Sequence, residues 1–345
     1  MQVPMMHYQS PTIETIPIDV LVDWTPLKFF QKNGQHGIVW GDLKGIPLDS
    51  ERFFSVLVRK YLESDQYETI ETGVEALSAL RAINPGLAPQ GFIFHVSHCG
   101  STLISNILGT LESCVSLSEP RFFTPLLPTA HGISRDQLSS WFCDTVNAYG
   151  QRRLGVEENL FIKFNSWHLF NADFIRYAFP KTPWLCLYRH PVEVMMGQLK
   201  KEKSQMTGWL TNNDRLNLTL EDRLQMSIVE GMALMLGRYY RRIESLATTD
   251  ANVLCINYDQ FSSDTYARIL AHFMLDVTAD EFAQMCEVTK LYSKAGSQKK
   301  EFFQDDRHKK QKDAFQIVRE MVNKWAIQPY NALEATRIQK DARYQ

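Results

Sequence analysis

Gly91-Phe92-Ile93-Phe94-His95-Val96-Ser97-His98-Cys99-Gly100-Ser101-Thr102-Leu103-Ile104 is the stretch on which the fold turns. Its first six residues form a buried-strand pattern, Ser97 to Ser101 is a polar turn with one glycine, and Leu103, Ile104, Ile107, Leu108 and Leu111 then recur at helical spacing. A strand that runs through such a turn into a helix aims the loop amides and the free N–H groups of the first helical turn at one point, a seat suited to phosphate. Ser101 and Thr102 add hydroxyl donors there. The loop is not the usual ATPase form, because Gly-x-x-x-x-Gly-Lys-Ser/Thr needs glycine where His95 stands and lysine where Ser101 stands. Stripped of function, the same stretch is one strand-turn-helix step of a sheet with Gly100 easing the turn.

Outward from this loop, short β-branched or aromatic runs alternate with helical patterns. That alternation predicts an α/β fold with a mostly parallel sheet flanked by helices. Strands are expected at Gly91 to Val96, Cys114 to Leu117, Leu160 to Phe164, Trp184 to Tyr188 and Val253 to Asn257, and ligands of such sheets lie beyond the carboxyl ends of the strands. Leu218 to Leu246 reads as one long helix after the polar stretch Lys200 to Arg215, and the chain from Ala279 onward reads as helices and loops that include the basic segment Lys299 to Lys312. Residues 1–90 end in the breaker Asn84-Pro85-Gly86 and read as an N-terminal lobe of unknown role, leaving 91–345 as the P-loop domain. The lobe carries aromatic residues and at least two helical patterns; one of these would be capped by Asp49 or Ser50 and bury Phe53, Phe54, Leu57, Val58 and Leu62.

With 345 residues, 44% of them hydrophobic, the chain has enough apolar material for a full core. A formal net charge of -2 gives no global electrostatic case for nucleic acid or an anionic membrane as partner, so an anion site has to come from local clustering. The six cysteines are scattered without a CxxC pair or zinc spacing, which reads as reduced thiols and no metal site. No apolar run approaches the ~18 residues of a bilayer span, and no Lys or Arg precedes Lys28, so the expected location is the cytoplasm. The oligomeric state is left open.

Ser97-His98-Cys99-Gly100-Ser101-Thr102-Leu103 resembles the phosphosulfate-binding loop of P-loop sulfotransferases, Pro-Lys/Arg-Ser-Gly-Thr-Thr and an apolar or aromatic residue, with His98 in place of the basic residue. Leu187-Tyr188-Arg189-His190-Pro191-Val192-Glu193-Val194 resembles the family's 3′-phosphate motif, Arg-x-Pro-x-Asp/Glu-Val, whose later serine is Gly197 here. Glu119, 21 residues after His98, is similar in place to the proton-accepting glutamate of tyrosylprotein-type and related bacterial members. Asn257-Tyr258-Asp259 resembles the segment whose tyrosine lies near the adenosine. The likeness runs from about Gly91 to Lys312.

The resemblance implies sulfonate transfer from 3′-phosphoadenosine-5′-phosphosulfate (PAPS) to a hydroxyl or amine of a small-molecule or peptide acceptor, releasing adenosine 3′,5′-bisphosphate (PAP), with no metal. Ser97, Cys99, Gly100, Ser101 and Thr102 would hold the phosphosulfate, His98 would stabilise charge on the bridging oxygen, and Arg189, Tyr258, Ser293 and Lys294 would hold the rest of the nucleotide. Glu119 is the expected base, His168 a competing one, and Arg121 and Lys163 are cations on the acceptor side. Two other readings stay open: a kinase-like phosphoryl transferase using ATP or GTP with Mg²⁺, and a nucleotide-binding protein that has lost catalysis. Cys99 at a helix N-terminus has the electrostatics of a reactive thiol, but a phosphatase loop would carry arginine where Ser105 stands.

Overall fold

In a computed structural model of the protein, residues 16–44, 46, 54–64, 66–127, 132–200, 218–290 and 306–342 are described. Five strands, β4 (Pro89–His95), β5 (Cys114–Ser118), β6 (Asn159–Lys163), β7 (Trp184–Tyr188) and β8 (Val253–Asn257), form one sheet in the order β5-β6-β4-β7-β8. Every pairing is parallel, so each connection crosses over through helical chain and both faces are covered. Burial is correspondingly continuous: all five residues of β7 are buried. The last two strands have the expected bounds, whereas β4, β5 and β6 are displaced by one or two residues at their ends. Val96, outside β4 itself, still donates its N–H to the Leu187 carbonyl at 3.0 Å, because the β7 edge continues past His95.

The N-terminal part has the two expected helices, Phe54–Leu62 and Ala76–Ile83, and beside them a sheet that its sequence reading did not contain. β1 (Trp24–Lys32), β2 (Gln35–Asp42) and β3 (Thr69–Gly73) make an antiparallel sheet in that order. Asn33 and Gly34 form the β1–β2 turn with φ of 52° and 79°, the two left-handed residues of a tight hairpin. β2 is buried continuously from Gly37 to Gly41, so it shows no alternation of apolar and polar residues. The expected helix is Phe54–Leu62, with Phe54, Leu57 and Tyr61 buried and Leu62 exposed; Asp49, Ser50 and Phe53 lie outside the described residues. This part of the chain shares a core with the parallel sheet, Phe29 meeting Phe122 edge-on at 5.8 Å. Buried Gln151 ties the two together, donating to the Trp24 carbonyl at 2.8 Å and accepting from Asn84 at 2.7 Å.

The long helix expected at 218–246 is two helices, Leu220–Gln225 and Ile228–Thr249. Ser227 takes extended backbone between them and accepts the Glu230 N–H, capping the second helix as a new start. The final helix, Ile327–Asp341, packs along Ile228–Thr249. Among the described residues no helix is long and apolar enough to cross a membrane.

Candidate active site

All five parallel strands end on one side of the sheet, and the residues that follow them converge there. The loop after the central strand β4 reaches Gly100 at φ 82°, which caps the helix Ser101–Leu108. The amides of Ser101 and Thr102 have no carbonyl partner within that helix, whereas those of Leu103 and Ile104 donate to the Gly100 carbonyl at 2.9 and 3.3 Å. An added Cβ at Gly100 would stand 2.4 Å from Phe261 and 3.0 Å from Tyr258, so glycine is required there for space as well as for φ. Ser101 and Thr102 are buried in the first turn, and Ser97, His98 and Gly100 are the partly exposed members of the loop. Cys99 points into the core and donates its thiol to the Val96 carbonyl at 2.8 Å, which leaves only its backbone to face a ligand.

The ends of β4, β5 and β6 bring together three charges. Glu119 Oε1 lies 3.3 Å from His95 Nε2 and 3.2 Å from Lys163 Nζ, all three being largely buried. His95 Nδ1 is 2.8 Å from the Val96 carbonyl, which only accepts, so Nδ1 carries a proton and donates it. Nε2 then faces a carboxylate, which favours a second proton and the imidazolium. Burial alone would lower the His95 pKa, but its contacts with Cys99 and Glu119 outweigh that and raise it to about 9. For Glu119, burial raises the pKa, and the charge of Lys163 and the bond and charge of His95 prevail, bringing it to about 2. Glu119 is therefore an anion held between two cations, with φ at 56°. His95, read from sequence only as a departure from the ATPase loop, is the member of this cluster that was missed. Lys163 is the partner of Glu119 and is buried.

His168 stands five residues beyond Lys163, the last residue of β6. It is buried, with its ring edge-on to Phe164 at 5.6 Å. Arg121 is exposed on the turn after β5. Beside the cluster, Ser166 Oγ stands 3.4 Å from His95 Nδ1 and opens on a narrow cavity of about 30 Å³. Ser97 and Gln198 form its polar side, and Trp167, Met235 and Tyr239 its apolar side.

On the other side of the loop, Arg189 follows β7 and is buried. Its Nε donates to Glu193 at 2.6 Å, one Nη to Asp306 at 2.9 Å and the other to the His98 carbonyl at 3.3 Å, while its guanidinium lies 4.0 Å over the Tyr258 ring. Pro191 begins the next helix, Pro191–Leu199, as its fixed φ favours. Lys310 pairs with Asp306 at 2.8 Å, a contact that the sequence reading left within a general basic run. Ser293 and Lys294 lie outside the described residues. Among the described residues no group of three or more His, Cys, Asp or Glu side chains is arranged to hold a metal ion.

The two departures from the motif pattern, His98 and Gly197, touch each other. A Cβ at Gly197 would come within 2.8 Å of His98 Cγ and 2.9 Å of Nδ1. Glycine inside a helix ordinarily costs ~1 kcal/mol against alanine, so Gly197→Ala would stabilise a helix with open space beside it. Here the imidazole occupies that space. Gly197→Ala is expected to destabilise the protein by about 1 kcal/mol or more through overpacking, and in a His98→Ala background the same change is expected to turn stabilising. Melting of the four proteins checks this; the same sign in both backgrounds would contradict it.

No protein-family model matches the sequence, and no curated protein is matched by it. Among solved structures the chain is similar to a sulfotransferase domain from the curacin biosynthetic pathway, at 13% identity and a TM-score of 0.40, over 58% of this chain and 77% of that one. It is also similar to a sulfotransferase from Mycobacterium tuberculosis, at 16% identity and a TM-score of 0.41, over 70% and 78% of the two chains. A mouse sulfotransferase complexed with PAP is similar at 12% identity and a TM-score of 0.33, over 75% and 87%.

Proposed function

We propose that this protein is a PAPS-dependent sulfotransferase acting on a hydroxyl or amine acceptor. The observation that carries the proposal is the convergence, at one end of the parallel sheet, of the Gly100 loop, the buried Arg189 beside it and the Glu119–Lys163–His95 cluster. A nucleotide with phosphates at both ends of its ribose suits this pair of anion seats, one built from loop amides and one from an arginine fork.

In the reaction, an acceptor oxygen or nitrogen bonds to sulfur as the bond between sulfur and the bridging oxygen breaks, and the acceptor proton goes to Glu119. Glu119 is ionised throughout the neutral range, but at about 2 it is a weak base, so it takes the proton only as bonding to sulfur makes the acceptor group acidic. Lys163 and His95 offset the negative charge around the transferred group. His98 ties the two anion seats, its carbonyl on Arg189 and its ring on Gly197. The cavity at Ser97, Ser166 and Trp167, about 30 Å³ and so the size of one water, takes the reacting hydroxyl or amine of the acceptor and not its body.

The test is calorimetric titration with PAP, with ATP plus Mg²⁺ as the comparison. Micromolar binding of PAP and markedly weaker binding of ATP is the expected result. A preference for ATP with Mg²⁺, or no binding of PAP, would remove the sulfotransferase reading and leave the phosphoryl-transfer and non-catalytic ones.

A further inference from the structure

Arg189 already holds an anion. Asp306 Oδ1 accepts from its Nη at 2.9 Å, and Asp306 Oδ2 pairs with Lys310 Nζ at 2.8 Å, so one carboxylate bridges two cations as a phosphate monoester would. The burial is unequal. The side chains of Arg189 and Lys310 are only 5% and 6% exposed, whereas that of Asp306 is 42% exposed. The two cations are thus fixed parts of the wall and the carboxylate between them lies on the solvent side.

The charges are balanced as they stand: Arg189 and Lys310 against Glu193 and Asp306. Glu193 is buried and bonded to Arg189 Nε at 2.6 Å and to Gln311 at 3.0 Å, so it is more firmly held than the exposed Asp306. A phosphate dianion added to the four charges would meet two carboxylates, so its entry requires Asp306 to give up its place. Burial would raise the Asp306 pKa, but the bond from Lys310 and the charges of Lys310 and Arg189 lower it, so it stays an anion and protonation does not empty the seat near neutral pH.

We infer that Asp306 is a resident counter-ion of the Arg189–Lys310 seat, and that it sets specificity by yielding to a ligand phosphate there and staying in place against ligands that lack one. The inference rests on the reading of Arg189 as a phosphate ligand. It makes Asp306 and Lys310 specificity-determining residues: a nucleotide without a phosphate at that position leaves Asp306 on Arg189, and one with it exchanges one anion for another.

The experiment titrates the full chain and its Asp306→Asn and Asp306→Glu forms with PAP, adenosine 5′-monophosphate and inorganic phosphate, following melting temperature alongside. Asparagine keeps the shape and loses the charge, and glutamate keeps the charge. Asp306→Asn is expected to bind PAP at least tenfold more tightly than the natural chain, with adenosine 5′-monophosphate changed less than twofold and Asp306→Glu not tighter. Its melting temperature without ligand should fall and be restored by phosphate, since a bound anion stabilises the folded state that holds it. If PAP binds none of the three proteins but inorganic phosphate binds Asp306→Asn tenfold tighter than the natural chain, the counter-ion role stands and the PAPS reading falls. Equal tightening of all three ligands would reflect only the loss of one negative charge, and that result, or no tightening of either PAP or phosphate, overturns the inference.

Discussion

Glu119→Gln is expected to destabilise the folded protein by about 3–5 kcal/mol near neutral pH, the range for removing one partner of a buried ion pair. Glutamine fills the same space but removes the negative charge that Lys163 and His95, both buried, face at 3.2 and 3.3 Å. Most of that loss should return in the Glu119→Gln/Lys163→Met form, because a buried pair replaced by neutral groups of similar volume is often close to neutral in stability. Denaturant unfolding of the natural chain, both single variants and the double variant measures the coupling directly. If Glu119→Gln is as stable as the natural chain, Glu119 is not the counter-ion of the cluster. Under the proposed function the same substitution should also slow transfer by about 10²–10⁴-fold, the usual contribution of a positioned base.

The cluster predicts a pH window as well. Glu119 is held at about 2, below its ordinary 4.5, so its contribution is present above 4.5 and is lost as pH falls toward 2. His95 is raised from 6.5 to about 9, so its contribution is complete below 6.5 and is lost as pH rises through 9. Stability from the cluster is therefore greatest between about 4.5 and 6.5, and in Glu119→Gln both slopes should flatten.

Arg189→Ala is expected to weaken PAP binding by about 30-fold or more, from the ~2–5 kcal/mol lost when one partner of a buried charge-assisted contact is removed. The change also removes the bonds to Glu193, Asp306 and the His98 carbonyl, and the ring contact with Tyr258. Buried Glu193 would keep Gln311 and lose its cation, so part of the effect will appear as lower stability. Arg189→Lys separates the two effects. It keeps a charge beside the carboxylates but not the fork that bonds Glu193, Asp306 and His98 at once, so it should fold well and still bind PAP at least tenfold less tightly. Titration of PAP into folded Arg189→Lys with unchanged affinity would place the 3′-phosphate elsewhere.

The placement of Glu119, Lys163 and Arg189 was readable from the chain alone, because Lys163 ends a strand, the other two follow one, and the strands announce themselves by short apolar runs between helical patterns. Parallel pairing then brings such positions to one end of the sheet whatever the crossing helices contain. The antiparallel sheet was readable in part: Asn33-Gly34 is a strong hairpin signal, but continuous burial of β2 removes the alternation that would have marked its strands. The split at Ser227 was harder to see, since Met226 and Ser227 break no apolar period and the stop depends on a cap that forms only once the helix does.

Other features have no counterpart in local sequence. The charge on His95 depends on what its two ring nitrogens face, and Glu119 reaches it from the end of β5, although β6 lies between β5 and β4 in the sheet. Gly197 looks like a weak point in a helix until the His98 ring is placed against it. Asp306 reads as one acid next to a basic run, and only the packing of the helix Arg307–Lys312 against the helix Pro191–Leu199 lays it on Arg189, 117 residues earlier. The division has a physical basis. Strand, turn and helix follow from periodicity and backbone preference over a few neighbouring residues, whereas the charge a buried group carries and the anion that fills a cationic seat are set by desolvation and by partners that tertiary packing brings from distant parts of the chain.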